Sequence, residues 1–118
     1  MKEKAIAKLM IATMIVDSHR HEREYAAIEE SLKHHGVTEE EYSDLLNESK
    51  EINDAEEVMA WSQTAIEALQ ELNDPEFSCV VISNMVLVAC ADNVVKDVEE
   101  AFIQTTATSL GVDAPVRR

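Results

Sequence analysis

Residues 17–37, DSHRHEREYAAIEESLKHHGV, decide how this chain is read, because a weaker copy returns in register 75 positions later. That copy is residues 92–112, DNVVKDVEEAFIQTTATSLGV. Without a gap, Asp17 falls on Asp92, Glu24 on Glu99, Ala26 on Ala101, Ile28 on Ile103, Gly36 on Gly111 and Val37 on Val112. The chain has only two glycines, and they hold equivalent places. Self-similarity at a fixed offset marks a repeated supersecondary unit. Each unit reads as an apolar helix ending in Asp, a short polar turn, an acidic helix start and a Gly stop.

Outward from the first copy, residues 2–16 read as a helix with Ile6, Leu9, Met10, Thr13 and Met14 as its main stripe. Residues 11–16 are apolar on nearly every side, so this helix is expected to be buried on most faces. A second helix over 22–35 places Tyr25, Ile28, Leu32 and His35 on one face and stops at Gly36. Thr38-Glu39-Glu40-Glu41 is a capping box opening a helix to about residue 50, with Tyr42, Leu45, Leu46 and Ser49 inward. Asp54-Ala55-Glu56-Glu57 opens the next, which carries Val58, Ser62, Ala65, Ile66, Leu69 and Leu72 at helical spacing with Trp61 beside them. Asn73-Asp74-Pro75 is the clearest breaker, with Asp74 as N-cap and Pro75 as first helical residue. The helix over 75–91 is expected to be a second central helix, the counterpart of the first. A last helix over 96–110 ends at Gly111.

No stretch alternates with period two. The fold class predicted is all-α: a single six-helix domain over residues 1–112, built from two pseudo-repeated helical hairpins. Residues 113–118, with Pro115 and two arginines, read as a flexible C-terminal tail.

A chain of 118 residues is long enough to bury one core, and 46% hydrophobic content with two Gly and two Pro fits a compact helical protein. The net charge of −14 argues against nucleic acid and anionic lipid as partners, since both need a basic footprint. It suits cations, basic protein surfaces or plain solubility. The apolar start superficially resembles a secretory signal, but Glu3 and Lys8 interrupt it and no small-residue cleavage site follows before Asp17. No apolar run approaches the ~18 residues of a membrane span. With two cysteines, the chain is expected in a reducing compartment, the cytoplasm.

Asp17 and Asp92 close apolar helices, where a carboxylate meets the negative end of the helix dipole. Either each serves the following turn as a cap, or each points across its turn at Glu24 or Glu99, seven residues on. In the second case four carboxylates converge, and Mg²⁺, Mn²⁺ or Ca²⁺ accepts such oxygen ligands.

These residues also resemble a known family. Ala89-Cys90-Ala91-Asp92-Asn93-Val94-Val95, then Glu99, Ile103 and Leu110-Gly111-Val112, look like the TerB-like family. Asp17, Glu24, Ile28 and Gly36-Val37 follow the same pattern less closely. The family includes the bacterial tellurite-resistance proteins and the N-terminal domain of DjlA-type membrane co-chaperones. The resemblance spans nearly the whole chain. It implies an all-helical domain of two related halves in a bacterial protein linked to tellurite or stress resistance, a non-enzymatic binding or adaptor module. It also implies metal binding at the acidic turns, here Asp17, Glu24, Asp92 and Glu99, or docking to a protein partner. The chain departs from the family in having Ser18 and Asn93 where Gly follows the Asp, and Arg20 where the second copy has Val95.

Other constellations are weaker. His19 and His21 sit beside Asp17, Glu22 and Glu24, but Arg20 and Arg23 interleave and repel a cation, so they read as turn histidines, as do His34 and His35. His21-Glu22-Arg23-Glu24-Tyr25 lacks the second histidine of a zinc-protease helix, and no EF-hand or phosphate loop is present. A hydrolase at His19 and His21 is therefore disfavoured. Cys79 and Cys90 lie eleven residues, about 16 Å, apart along one helix, too far for a disulfide, and are expected in the core. Trp61 and Met59 read as core packing, with a partner anchor or a homodimer contact as the alternative. The alternative to a cation-binding module is a metal-free protein–protein docking module, a stress or mobile-element protein using its acidic helical surface.

Overall fold

The computed structural model describes residues 2–16, 22–91 and 97–112. Six helices follow in order: α1 (Lys2–Ile15), α2 (Glu22–His34), α3 (Glu39–Ser49), α4 (Ala55–Leu72), α5 (Pro75–Ala89) and α6 (Asp97–Leu110). No strand occurs among the described residues, so the all-α expectation holds. The tail expected over 113–118 lies outside the described residues.

Helix α1 is the axis of the molecule. Ile6, Leu9, Met10, Ile11 and Met14 are 0% exposed, as are Ala7, Ala12 and Thr13, so from Leu9 onward no face of the helix reaches solvent. The Thr13 hydroxyl donates to the Leu9 carbonyl at 2.8 Å, which satisfies the one polar side chain in this buried run. All five other helices pack on α1, most extensively α4 and then α5. Each large apolar side chain enclosed this way contributes about 1.5–3 kcal/mol.

The helix ends follow local chemistry. Thr38 caps α3: its hydroxyl accepts from the Glu41 amide at 3.1 Å, and Glu41 accepts from the Thr38 amide at 3.1 Å. Asp54 accepts from the Glu57 amide at 2.8 Å and Asp74 from the Phe77 amide at 3.1 Å. Asn73 ends α4 in the left-handed region, at φ 52°. Gly36 and Gly111 both adopt φ +73°. At each, the amide of the following valine reaches back five residues, Val37 to the Leu32 carbonyl at 3.1 Å and Val112 to the Ala107 carbonyl at 3.0 Å. This is the longer bond of a Schellman closure, and it is made at both places.

Three expectations change. Leu72, the last residue of α4, is 46% exposed. Helix α5 is not a second central helix. It packs on α1, α2 and α6 from one side, leaving Leu87 60% exposed and Val80 exposed on the other. Cys79 and Cys90 are likewise exposed free thiols rather than core residues.

A Cβ at Gly36 or Gly111 meets nothing within 4 Å, so only backbone strain opposes substitution. Gly36→Ala and Gly111→Ala are each expected to lower unfolding free energy by about 1–2 kcal/mol, measured by urea denaturation. A large difference between the two would count against their equivalence.

Candidate functional site

Glu24 and Glu99 are each the third residue of their helix, α2 and α6. Both are only 1% exposed. A carboxylate at this position sits near the free amides of the first turn and the positive end of the helix dipole, which offsets part of the cost of removing it from water. Glu41 occupies the same position in α3, yet it stays within reach of solvent. Glu24 and Glu99 differ by being enclosed: α2 packs on α1 and α5, and α6 packs on α1, α4 and α5. Each glutamate has an interaction partner.

The environments match beyond the glutamates. From 24 to 37 and from 99 to 112, twelve of fourteen paired positions share the same degree of burial. The two exceptions, Ala27 with Phe102 and Ser31 with Thr106, are half-buried in the first stretch and buried in the second. Ile28 and Ile103 are both fully enclosed one turn beyond their glutamates. Asp17 and Asp92, the other two candidate ligands, lie outside the described residues, as do His19 and His21. Among the described residues, no three His, Cys, Asp or Glu side chains gather as a metal site. Of the proposed set, the structure therefore places Glu24 and Glu99 and says nothing of the aspartates.

A second polar cluster escaped sequence reading. The Lys8 ammonium donates to the Thr64 hydroxyl at 2.9 Å and lies 5.0 Å from the centre of the Trp61 ring. The Trp61 indole N–H donates to Glu48 at 3.0 Å. Burial lowers the Lys8 pKa, with Glu48 opposing that shift and Lys4 adding to it. Lys4, Lys8, Leu45, Glu48 and Thr64 line a cleft of about 240 Å³ where α1, α3 and α4 meet. The cluster ties three helices together and explains why Trp61 is half-buried rather than a free anchor. Only the proximity of Lys8 and Trp61 in the fold reveals it, because 53 positions separate them in the chain.

On α3, Tyr42 faces α2 across a hollow of about 350 Å³ lined by Glu29, Leu32, Val37 and Leu46. Its hydroxyl oxygen is enclosed and has no hydrogen-bond partner among the described residues. Burial first, then the charges of Glu29 and Tyr25, push its pKa up to about 12.

These features define an all-helical bundle with one enclosed central helix and buried acids at two helix starts, without a nucleophile–base arrangement among the motifs the sequence offers. The chain belongs to the family of tellurite resistance protein TerB, whose model matches residues 3–117. No curated protein and no solved structure matches it. Among the described residues, no helix is long and apolar enough to cross a membrane.

Because the Tyr42 pKa is higher in the folded chain than the ordinary value of 10.0, its contribution is intact below pH ~10 and is lost as pH rises toward 12. Tyr42→Phe is expected to leave stability at neutral pH unchanged within about 0.5 kcal/mol, or to raise it, since no hydrogen bond is broken. The variant should also lose stability less steeply between pH 10 and 12. Urea midpoints across that range test both statements.

Proposed function

We propose that this protein is a non-enzymatic binding or adaptor module of the bacterial cytoplasm, serving tellurite or stress resistance. In this reading a divalent cation, Mg²⁺, Mn²⁺ or Ca²⁺, is held at the acidic turns by Asp17, Glu24, Asp92 and Glu99. The observation that supports it most is the burial of Glu24 and Glu99 at the same position of two matched helix starts. An enclosed carboxylate is expensive unless positive charge or hydrogen bonds compensate it. Helix-start amides supply part of that, and a hard cation on the turn side of each glutamate would add oxygen-selective binding. Such an ion would brace the turn between α1 and α2, and that between α5 and α6, and so set the outline presented to a protein partner.

The second reading is a metal-free docking module. It is favoured by the charge of −14 and by the exposed carboxylates Glu39, Glu40, Glu56 and Glu57 at the starts of α3 and α4, a surface suited to a basic partner.

Calorimetric titration with Ca²⁺, Mg²⁺ and Mn²⁺ separates the two. The cation reading expects saturable heat from at least one ion in the wild type. It expects affinity to fall at least about tenfold in Glu24→Gln/Glu99→Gln and in Asp17→Ala/Asp92→Ala. Absence of heat, or equal affinities in all three proteins, would leave the docking reading.

A further inference from the structure

Aspartate and glutamate outnumber lysine and arginine 24 to 10 in this chain, yet the cleft where α1, α3 and α4 meet has the opposite balance. Of the three charged side chains that line it, Lys4 and Lys8 are positive and Glu48 is negative. The hollow between α2 and α3 keeps the ordinary balance, with Glu29 and Glu39 against Lys33. Lys4 and Lys8 are four residues apart on one helix, about 6 Å along its axis, so both ammonium groups border the same small space. Like charges at this spacing repel. Burial first, and Lys4 in addition, lower the Lys8 pKa against the opposing charge of Glu48.

The hydrogen-bonding groups are unbalanced in the same sense. An ammonium has three N–H donors, and Lys8 gives one to the Thr64 hydroxyl at 2.9 Å. Its place 5.0 Å from the centre of the Trp61 ring steadies the side chain without using an acceptor. Thr64 accepts in the bond from Lys8, which leaves its own hydroxyl hydrogen to give. The carboxylate of the cleft is already engaged, because Glu48 accepts from the Trp61 indole N–H at 3.0 Å. Lys4, Lys8 and Thr64 thus bring more donors to the cleft than it holds acceptors, beside a wall of Ala5, Leu45 and Ala65. Negative charge spread over two or more oxygens answers such a set. A cation meets two ammonium groups there, and an apolar group leaves the donors unanswered.

We propose that the cleft bordered by Lys4, Lys8 and Thr64 binds a small oxyanion, either a free inorganic ion or the carboxylate of a peptide end. The proposal is independent of any cation at the acidic turns.

Trp61 is the only tryptophan and lies against Lys8, so its fluorescence reports on the cleft. Sulfate and acetate are titrated separately near neutral pH, with ionic strength held constant by sodium chloride. At least one should give a saturable change in the wild type. A response to sulfate alone supports a free inorganic ion, and a response to acetate supports a carboxylate. Lys4→Gln should weaken binding at least about fivefold. Lys33→Gln makes the same charge change on α2, outside the cleft, and should alter it less than about twofold. Both lysines are exposed, so both variants should keep the wild-type circular dichroism. Glu48→Gln removes the competing charge, keeps a carbonyl oxygen for Trp61 and should tighten binding at least about threefold. No saturable change with either ion overturns the proposal. Equal affinities in Lys4→Gln and Lys33→Gln, or weaker binding in Glu48→Gln, overturn it equally.

Discussion

The whole fold answers one demand: from Leu9 onward, α1 has no side that can face water. A helix apolar on one stripe needs a single neighbour, but Ile6, Leu9, Met10, Ile11, Met14 and Ile15 point around most of the circumference, and all are buried. Five helices meet the demand, α4 most extensively. The caps and stops between them set where each helix begins and ends, so that each lies against the axis. The Lys8–Thr64–Trp61–Glu48 chain then links α1, α3 and α4 at the mouth of this packing. With α3 and α4 packed on α1, no helix among the described residues covers the outward side of α5.

The enclosure of α1 also gives the acidic helix starts their character. Helices α2 and α6 each lie against both α1 and α5, and their third residues enter the interior with them. A glutamate on an exposed helix start is an ordinary capping device, as Glu41 illustrates. The same residue 1% exposed, in two matched settings, is a structural commitment with an electrostatic cost. That cost is the physical basis for reading the turns as sites for a cation. The matched Schellman closures at Gly36 and Gly111 tie the far ends of the same two helices. Family membership agrees with the architecture.

Much of this was legible in the sequence, for local reasons. Thr38, Asp54, Asp74, Gly36 and Gly111 act within a turn of themselves, so their roles could be read from spacing alone. The burial of Glu24 was visible in principle, because Glu24, Ile28 and Leu32 recur every four residues on the α2 stripe, and Glu99, Ile103 and Ala107 do the same on α6. What could not be read is which face a neighbour covers. The residues on both sides of α5 are apolar, so Cys79 and Cys90 were expected in the core, while the arrangement of other helices exposes them along with Leu87. Leu72 shares the stripe of Leu69 but, as the last residue of α4, is 46% exposed. The Lys8 cluster depends on contacts across the fold and leaves no trace in local pattern. The aspartates of the acidic turns lie outside the described residues, so their part in the proposed site rests on sequence alone.

If α1 is the enclosed axis, its amides can open only when the whole bundle does. Native-state hydrogen exchange under increasing urea measures this directly. The amides of residues 9–14 should exchange with the free energy and the urea dependence of global unfolding, at least as protected as any in α2 or α6. Exchange of those amides through a smaller, urea-insensitive opening, while another helix retains global protection, would contradict the account.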